Sequence, residues 1–217
     1  MSRILVFSRT LGYRHDSIPS GIAALTEIAE ESGHAVDATE DPSVFTSRGL
    51  VAWDAVVWLS TSGEVLETEQ RTAFADWLRG GGAYIGIHGA TACEYEWAEY
   101  EQISGAVFTD HPEVQNAIVR VADAAHPSTA DLPPEWRHRD EWYNFRRPPQ
   151  HKTVLLTVDE ESYAGGTMGA MHPVAWHGTH GAGRTWYTAL GHDSAAFDDP
   201  LFRTHLRGGL RSVLGRS

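Results

Sequence analysis

Three short, continuous apolar segments constrain the fold of this chain most. They occupy residues 4–7, 55–59 and 83–87. Strands that are apolar on both faces are typical of parallel sheets, because helices cover such sheets on either side. Each segment is too short to span a membrane and has the usual length of a strand. We therefore predict that the three segments are buried strands of a parallel sheet.

Helical patterns follow the first two segments. Apolar residues recur at helical spacing between Ser17, which is available as an N-cap, and Gly33, which is a stop signal. A second helix is predicted from about Thr68 to Gly80. Alternating strands and helices predict an α/β fold with a doubly wound, mainly parallel sheet. In such sheets ligands bind beyond the carboxyl ends of the strands. We therefore expect residues 8–17, 60–63 and 88–93, which follow the three strands, to converge on one edge of the sheet and to carry functional residues.

The pattern changes after Asp110, where strands are separated by Pro- and Gly-rich turns. The predicted strands are residues 117–121, 153–158, 173–176 and 185–190. We predict that they form an antiparallel extension of the same sheet. A last helix is predicted to pack on the sheet through Phe202, Leu206, Leu210 and Val213. Because 217 residues with 41% hydrophobic content suffice for one sizeable core, we expect a single domain over residues 1–217.

The charge of the chain argues against two classes of partner. It has 29 acidic and 17 basic side chains, a formal net charge of −12, which repels nucleic acids and anionic membrane surfaces. Cys93 is the only cysteine, so neither an internal disulfide nor a cysteine-based zinc site can form. Together with the lack of a signal-peptide pattern, this predicts a cytoplasmic protein. The sequence leaves open whether the chain forms homo-oligomers.

Two histidines follow predicted strands of the parallel part. His15 lies beside Asp16 in the loop before the first helix, where helix N-terminal amides favour an anion or a polarised oxygen. His88 directly follows the strand 83–87 and precedes Gly89, a pattern typical of tight turns that present a catalytic side chain. The alternatives are a helix cap with a surface histidine at the first position and a turn hydrogen bond at the second.

Two further histidines, His111 and His192, each adjoin a carboxylate that could orient the imidazole. With His15 and His88 they would form either a general acid/base set or a site for a divalent metal such as Zn or Mn. No known metal-ligand spacing such as H-E-x-x-H occurs, so the sequence favours the metal-free alternative.

Glu141 and Tyr143 stand in a segment that combines carboxylates with aromatic rings around Trp142. Aromatic faces beside carboxylates are typical of sugar subsites, although core packing is the alternative for each ring. Because alternate residues of a strand share a face, we expect Glu141 and Tyr143 to point the same way.

Four separated motifs together resemble the ThuA-like (trehalose utilisation) family. They are Gly12-Tyr13-Arg14-His15-Asp16-Ser17, Tyr84-Ile85-Gly86-Ile87-His88, Asp140-Glu141-Trp142-Tyr143, and Pro173-Val174-Ala175-Trp176 with the stretch 183–192. The family is similar in fold to class I glutamine amidotransferases, a flavodoxin-like α/β architecture. In those enzymes a cysteine occupies the turn where this chain has His88, and imidazole cannot form the γ-glutamyl thioester. The resemblance therefore implies no amidotransferase activity.

The resemblance implies instead a role in disaccharide use, on 3-keto glycosides supplied by a partner sugar dehydrogenase. A keto group acidifies the neighbouring C–H, so a histidine base would suffice. We expect His88 as base or ligand, His15 or His192 as acid, and Glu141 as orienting group. The residues expected to bind the carbohydrate are Asp16, Tyr13, Arg14, His111, Trp142 and Tyr143. Two alternatives are a non-catalytic sugar-binding module and a metal-dependent hydrolase that uses His15, His88, His111 or His192.

Overall fold

Nine strands form the sheet that organises the chain, and a short two-stranded sheet, β5 with β8, lies beside it. The computed structural model describes residues 1–215. The strands are β1 (Arg3–Phe7), β2 (Ala35–Thr39), β3 (Ala55–Leu59), β4 (Ala83–Ile87), β5 (Phe108–Asp110), β6 (Gln115–Val121), β7 (Glu135–Asp140), β8 (Asn144–Phe145), β9 (Thr153–Val158), β10 (His172–His180) and β11 (Gly183–Thr188). The helices are α1 (Ile18–Glu31), α2 (Ser47–Leu50), α3 (Thr68–Arg79), α4 (Ala98–Ser104) and α5 (Pro200–Leu214).

The order of the strands divides the large sheet into two parts. It runs β2-β1-β3-β4-β11-β10-β9-β6-β7. The first five strands are parallel to one another, and from β11 to β7 each pair is antiparallel. The predicted doubly wound, mainly parallel sheet with an antiparallel extension is therefore confirmed. The last two residues of the predicted domain, 216 and 217, lie outside the described part of the chain.

Side chains of β3 show why this strand is apolar throughout. Trp58 packs against Phe74 of α3 and Tyr100 of α4 on one face of the sheet. The next residue, Leu59, faces Gly21 of α1 on the other face, so closely that a Cβ there would lie 2.9 Å from Leu59 Cδ2. Helices thus cover both faces and exclude water from the central strands. Within residues 1–215, no helix is long and apolar enough to cross a membrane.

Three loops at the carboxyl edge of the parallel strands meet, as predicted from the sequence. Thr10, in the loop after β1, forms a parallel bridge with Ser62 after β3. Gly63 in turn bridges Cys93 after β4. The predicted convergence of the three loops is therefore confirmed, and it creates the cleft in which the candidate site lies.

Some local predictions were wrong. The edge strands β2 and β7 were not predicted, because alternating and charged residues on a sheet edge lack the apolar signature of central strands. Ser17 does precede α1, but its hydroxyl donates to the carbonyl oxygen of Gly191 instead of capping the helix. That hydrogen bond joins the loop after β1 to the loop after β11.

Candidate active site

Four buried or half-buried side chains from four different segments meet in the cleft. His15 comes from the loop after β1, His88 from the end of β4, Glu141 from the end of β7, and His192 from the loop after β11. All four were candidate site residues in the sequence. They form the cluster described below, which we call the His/Glu cluster.

His88 occupies a strained turn at the end of β4. Its φ angle is +50°, in the left-handed region that a non-glycine residue adopts at a cost. Gly89 follows, where a Cβ would lie 3.0 Å from the backbone oxygen of Thr61. The imidazole is fully buried, and Nδ1 lies 2.7 Å from the carbonyl oxygen of Ala189. Because a carbonyl can only accept, Nδ1 carries a proton, and in the neutral ring Nε2 then offers its lone pair to the cleft.

The distances within the His/Glu cluster match those between ligands of one metal ion. The Nε2 atoms of His15 and His88 are 3.0 Å apart. Glu141 Oε2 lies 3.4 Å from His88 Nε2 and 3.2 Å from His192 Nδ1. One ligand atom from each residue lies within 4.8 Å of the other three. Ligands about 2.1 Å from a tetrahedral zinc ion are about 3.4 Å apart, so the four residues fit such an ion.

A second observation points the same way. His192 Nδ1 is buried and has no hydrogen-bond partner among residues 1–215, although Glu141 Oε2 is near, because the two atoms are poorly aligned. Buried polar atoms are normally satisfied, and a buried ring nitrogen left without a partner beside three other ligand atoms is what a metal site requires.

The protonation states of His15 and Glu141 also favour ligand binding. Burial lowers the pKa of His15 to about 4, so this imidazole is neutral at pH 7 and has a free lone pair. Burial alone would raise the pKa of Glu141, but contacts with the imidazoles of His15, His192 and His88 hold it well below its ordinary value. The Glu141 carboxylate raises the pKa of His192, so an ion bound there would have to displace a proton from this ring. The cluster thus presents one anion and nitrogen donors, the set that zinc and similar divalent ions bind.

A cavity of about 590 Å³ opens from the cluster to solvent. Its lining includes Tyr13, Tyr95, Phe108, His111 and Tyr143 as well as residues of the His/Glu cluster. Tyr143 is buried, and its hydroxyl lies 2.9 Å from His88 Nε2. Burial raises the pKa of Tyr143 well above its ordinary value, so the hydroxyl keeps its proton. His111 Nε2 lies 3.2 Å from the other Glu141 oxygen, Oε1, at the half-exposed side of the cavity.

Three of the expected substrate-binding residues lie outside this cavity. The Trp142 side chain is 1% exposed and donates from Nε1 to the Gln115 carbonyl, so it belongs to the core. Arg14 is exposed and pairs with Glu40. Asp16 is exposed and lines a neighbouring groove that His15 also borders. Trp142 and Arg14 therefore do not line this cavity, because neighbours in a motif need not face the same side.

We expected Glu141 and Tyr143 to point the same way because they would alternate along a strand, and this reason was wrong. β7 ends at Asp140, so Glu141 and Tyr143 do not alternate along a strand. Both nevertheless reach the cavity, because the chain leaves the sheet edge there and crosses toward β4. His172 of β10 fixes this crossing, with Nε2 2.8 Å from the Tyr143 carbonyl oxygen.

Asp140, which sequence reasoning missed, ties together the segments that carry two cluster residues. Its fully buried carboxylate accepts from the backbone nitrogens of Glu141, Gly191 and His192 at 2.9, 2.8 and 3.0 Å. His138 Nε2 lies 3.2 Å from the same carboxylate. Asp140 therefore fixes the end of β7 against the loop after β11. The adjacency of two carboxylates, Asp140 and Glu141, was the one sequence signal for it.

A histidine cation neutralises this buried carboxylate. His138 lies between Asp140 and Asp199, with Nδ1 3.4 Å from the Asp199 carboxylate that caps α5. Burial alone would lower the pKa of His138, but the two carboxylates raise it to about 9. No local pattern separated His138 from the other histidines, because its partner Asp199 is distant along the chain.

The His138 cation makes stability depend on pH. Its folded pKa of about 9 exceeds the ordinary value of 6.5, so its contribution is fully present below about pH 6.5 and is lost as the pH rises through 9. The largest contribution this shift allows is about 3 kcal/mol. We expect the difference in free energy of unfolding between wild type and His138→Gln, measured by denaturant titration, to shrink from pH 6.5 to pH 9.5. His34→Gln, outside this network, serves as control, and a constant difference would contradict the assignment.

Cys93, which follows the turn at His88, is poorly suited to nucleophilic chemistry. Cys93 is 3% exposed, and its sulfur lies 3.3 Å from Thr61 Oγ1 and 3.4 Å from the Ala90 carbonyl. Burial raises its pKa to about 12, so the reactive thiolate is scarce at neutral pH.

The fold defines a broad class of protein. It is an α/β protein with a mainly parallel sheet, in which His88 occupies a strained turn at the end of the central strand β4. The sequence model of the trehalose utilisation family, ThuA, matches residues 3–212. The chain therefore belongs to the ThuA family.

Solved structures share this fold. A ThuA-like protein from Bacteroides uniformis is 21% identical, with a TM-score of 0.84 over 98% of this chain and 91% of that chain. A ThuA-like protein from Parabacteroides merdae is 22% identical, with a TM-score of 0.81 over 99% of this chain and 91% of that chain. A cytoplasmic protein from Salmonella typhimurium is 14% identical, with a TM-score of 0.70 over 97% and 99% of the two chains. A comparison with curated protein sequences finds no match.

Proposed function

We propose that this chain is a metal-dependent enzyme that acts on a keto-sugar derived from a disaccharide. The observation that carries the proposal is the convergence of His15, His88, His192 and Glu141 at ligand spacing. When bound there, a divalent ion such as Zn or Mn supplies a Lewis acid that polarises a carbonyl or hydroxyl oxygen. Membership of the trehalose utilisation family supports a carbohydrate substrate.

The residues around the cluster suit proton transfer next to a carbonyl. A keto group at C3 acidifies the neighbouring C–H, so a weak base can remove its proton. His111 borders the cavity 3.2 Å from Glu141 Oε1, and we assign it the role of that base. The protonated Tyr143 hydroxyl, also facing the cavity, would donate a hydrogen bond to a substrate oxygen. Loss of the glycosidic oxygen or isomerisation would follow the proton transfer.

The cavity has the lining that a sugar ring requires. Tyr13, Tyr95 and Phe108 offer apolar ring faces to sugar C–H groups, and Glu141 and His192 offer hydrogen-bonding groups beside them. Its volume of about 590 Å³ falls within the usual range for small-molecule sites. A dehydrogenase that oxidises C3 of a disaccharide would have to supply the substrate, and a cytoplasmic location would suit this partnership.

Metal titration and substrate turnover test the proposal together. Protein stripped with chelator should bind one zinc or manganese ion per chain in calorimetry. The loaded protein should convert a 3-keto disaccharide detectably by NMR, whereas the stripped protein should not. Turnover that survives chelation would favour the metal-free acid/base alternative. Binding of the sugar without turnover in either state would favour a sugar-binding module.

A further inference from the structure

A second cavity, of about 790 Å³, lies at the opposite end of the sheet from the His/Glu cluster. Its lining includes α4 residues, the turn after β10 at Gly181, and the loop before β9. β11 begins beside this turn at Gly183. It ends at Thr188, which pairs with Ile87, the residue before His88. The two cavities are therefore separated by the length of β11, and the proposed function makes no use of the second one.

Lys152, the one lysine among 17 basic side chains, projects into this cavity. Its stem crosses Gly178 of β10, where a Cβ would lie 2.6 Å from Lys152 Cδ. Nζ donates to Thr185 Oγ1 at 2.9 Å. The glycine makes room for the stem and the hydroxyl fixes the amine, so the amine has a defined position at the cavity wall.

The surroundings of the Lys152 amine increase the fraction of chains in which it is neutral. Burial lowers the pKa of Lys152 to about 8, and among the described residues no carboxylate opposes this effect. Near pH 8 about half of such amines carry a free lone pair, compared with well under ~1% of ordinary lysines. Amines desolvated in this way are the nucleophiles that form Schiff bases with carbonyl compounds.

The charges around the amine favour an anionic ligand. The ionic lining residues besides Lys152 are Glu101 and Arg147, whose side chains pair at 2.8 Å. Arg146 also approaches Glu101, at 3.8 Å. Two guanidinium groups thus share one carboxylate, which leaves an excess of positive charge beside the amine in a chain of net charge −12. A ligand with a carboxylate would be attracted to this end of the cavity.

We propose that this cavity binds small carbonyl compounds that carry a carboxylate, and that Lys152 condenses with them as an imine. A C–N bond forms between Nζ and the carbonyl carbon. The carbonyl oxygen leaves as water with the two hydrogens of the neutral amine, so no oxidant or reductant takes part. Thr185 positions the amine, and Arg147 faces the carboxylate.

Reductive trapping with glyoxylate tests the inference. The protein is incubated with glyoxylate and cyanoborohydride at pH 8, either folded or unfolded in guanidinium chloride, and labelling of Lys152 is followed by peptide mass spectrometry. We expect labelling to be at least about tenfold faster in the folded chain, because its amine is more often neutral. If the folded chain is labelled no faster than the unfolded chain, the inference that Lys152 is a reactive amine is overturned.

A neutral aldehyde and a charge variant test the preference for a carboxylate. Glycolaldehyde should show a smaller ratio of folded to unfolded labelling than glyoxylate. Arg147→Gln should lower the glyoxylate ratio and leave the glycolaldehyde ratio unchanged, whereas Arg48→Gln, an exposed change on α2, should alter neither. Equal ratios for the two aldehydes in wild type would overturn the carboxylate preference.

Discussion

Replacing Glu141 with glutamine should lower the affinity for zinc at least about 100-fold while the chain still folds. The side chain keeps its shape but loses the one anion of the His/Glu cluster, whose oxygens lie 3.2 to 3.9 Å from four histidines. Losing an outer hydrogen bond to a ligand costs about 10- to 100-fold in metal affinity, so losing a charged ligand costs more. Calorimetric zinc titration of the stripped protein measures the effect.

Two variants control this result. Glu113→Gln makes the same chemical change at an exposed position and should keep the affinity of the wild type. His111→Ala should also keep most of the affinity but lose turnover of the keto-sugar, because His111 contacts Glu141 without belonging to the four-residue cluster. Equal zinc affinity in wild type and Glu141→Gln would remove Glu141 from the ligand set.

Replacing Asp140 with alanine should lower the free energy of unfolding by about 3–5 kcal/mol, the usual cost of removing one partner from a buried ion pair. Three backbone N–H groups would lose their acceptor, and His138 would lose one of its two carboxylates. Denaturant titration gives the free energy of unfolding. Asp193→Ala, on the half-exposed residue after His192, should cost far less.

Asp140→Asn separates the role in stability from the role in metal binding. The amide can still accept one or two of the N–H groups but cannot neutralise His138. We expect it to be destabilised less than the alanine variant and to bind zinc about 10- to 100-fold more weakly than wild type, as for other residues that orient ligands. Wild-type stability and zinc affinity in Asp140→Asn would show that the carboxylate does not position the cluster.

The central part of the fold follows from the sequence because its signals are local. The strands β1, β3 and β4 are apolar on both faces, and the helices after them have one apolar face, so composition and spacing suffice. The edge strands β2 and β7 were missed because a strand with one neighbour does not need to be apolar. Their pairing is specified by the rest of the sheet, which local patterns do not contain.

The residues of the candidate site could be predicted from the sequence, whereas its metal chemistry is a proposal that the sequence did not favour. Positions after strands indicated His15, His88 and His192, and an aromatic segment indicated Glu141. The absence of a short ligand motif favoured a metal-free site, but that argument applies only to ligands from one helix or hairpin. Trp142 shows that proximity in sequence does not place a residue in the site, because it is next to Glu141 but packs into the core.

At least 50 residues separate each member of the His/Glu cluster from the next along the chain. Unfolded chains rarely bring such distant groups together, so the four ligands would bind an ion only in the native state. By mass action, an ion at 100 times its dissociation constant would then stabilise the fold by about 2.7 kcal/mol. The ion would act as a reversible cross-link between the first strand and the last, and the heat resistance of this protein would follow the free metal concentration around it.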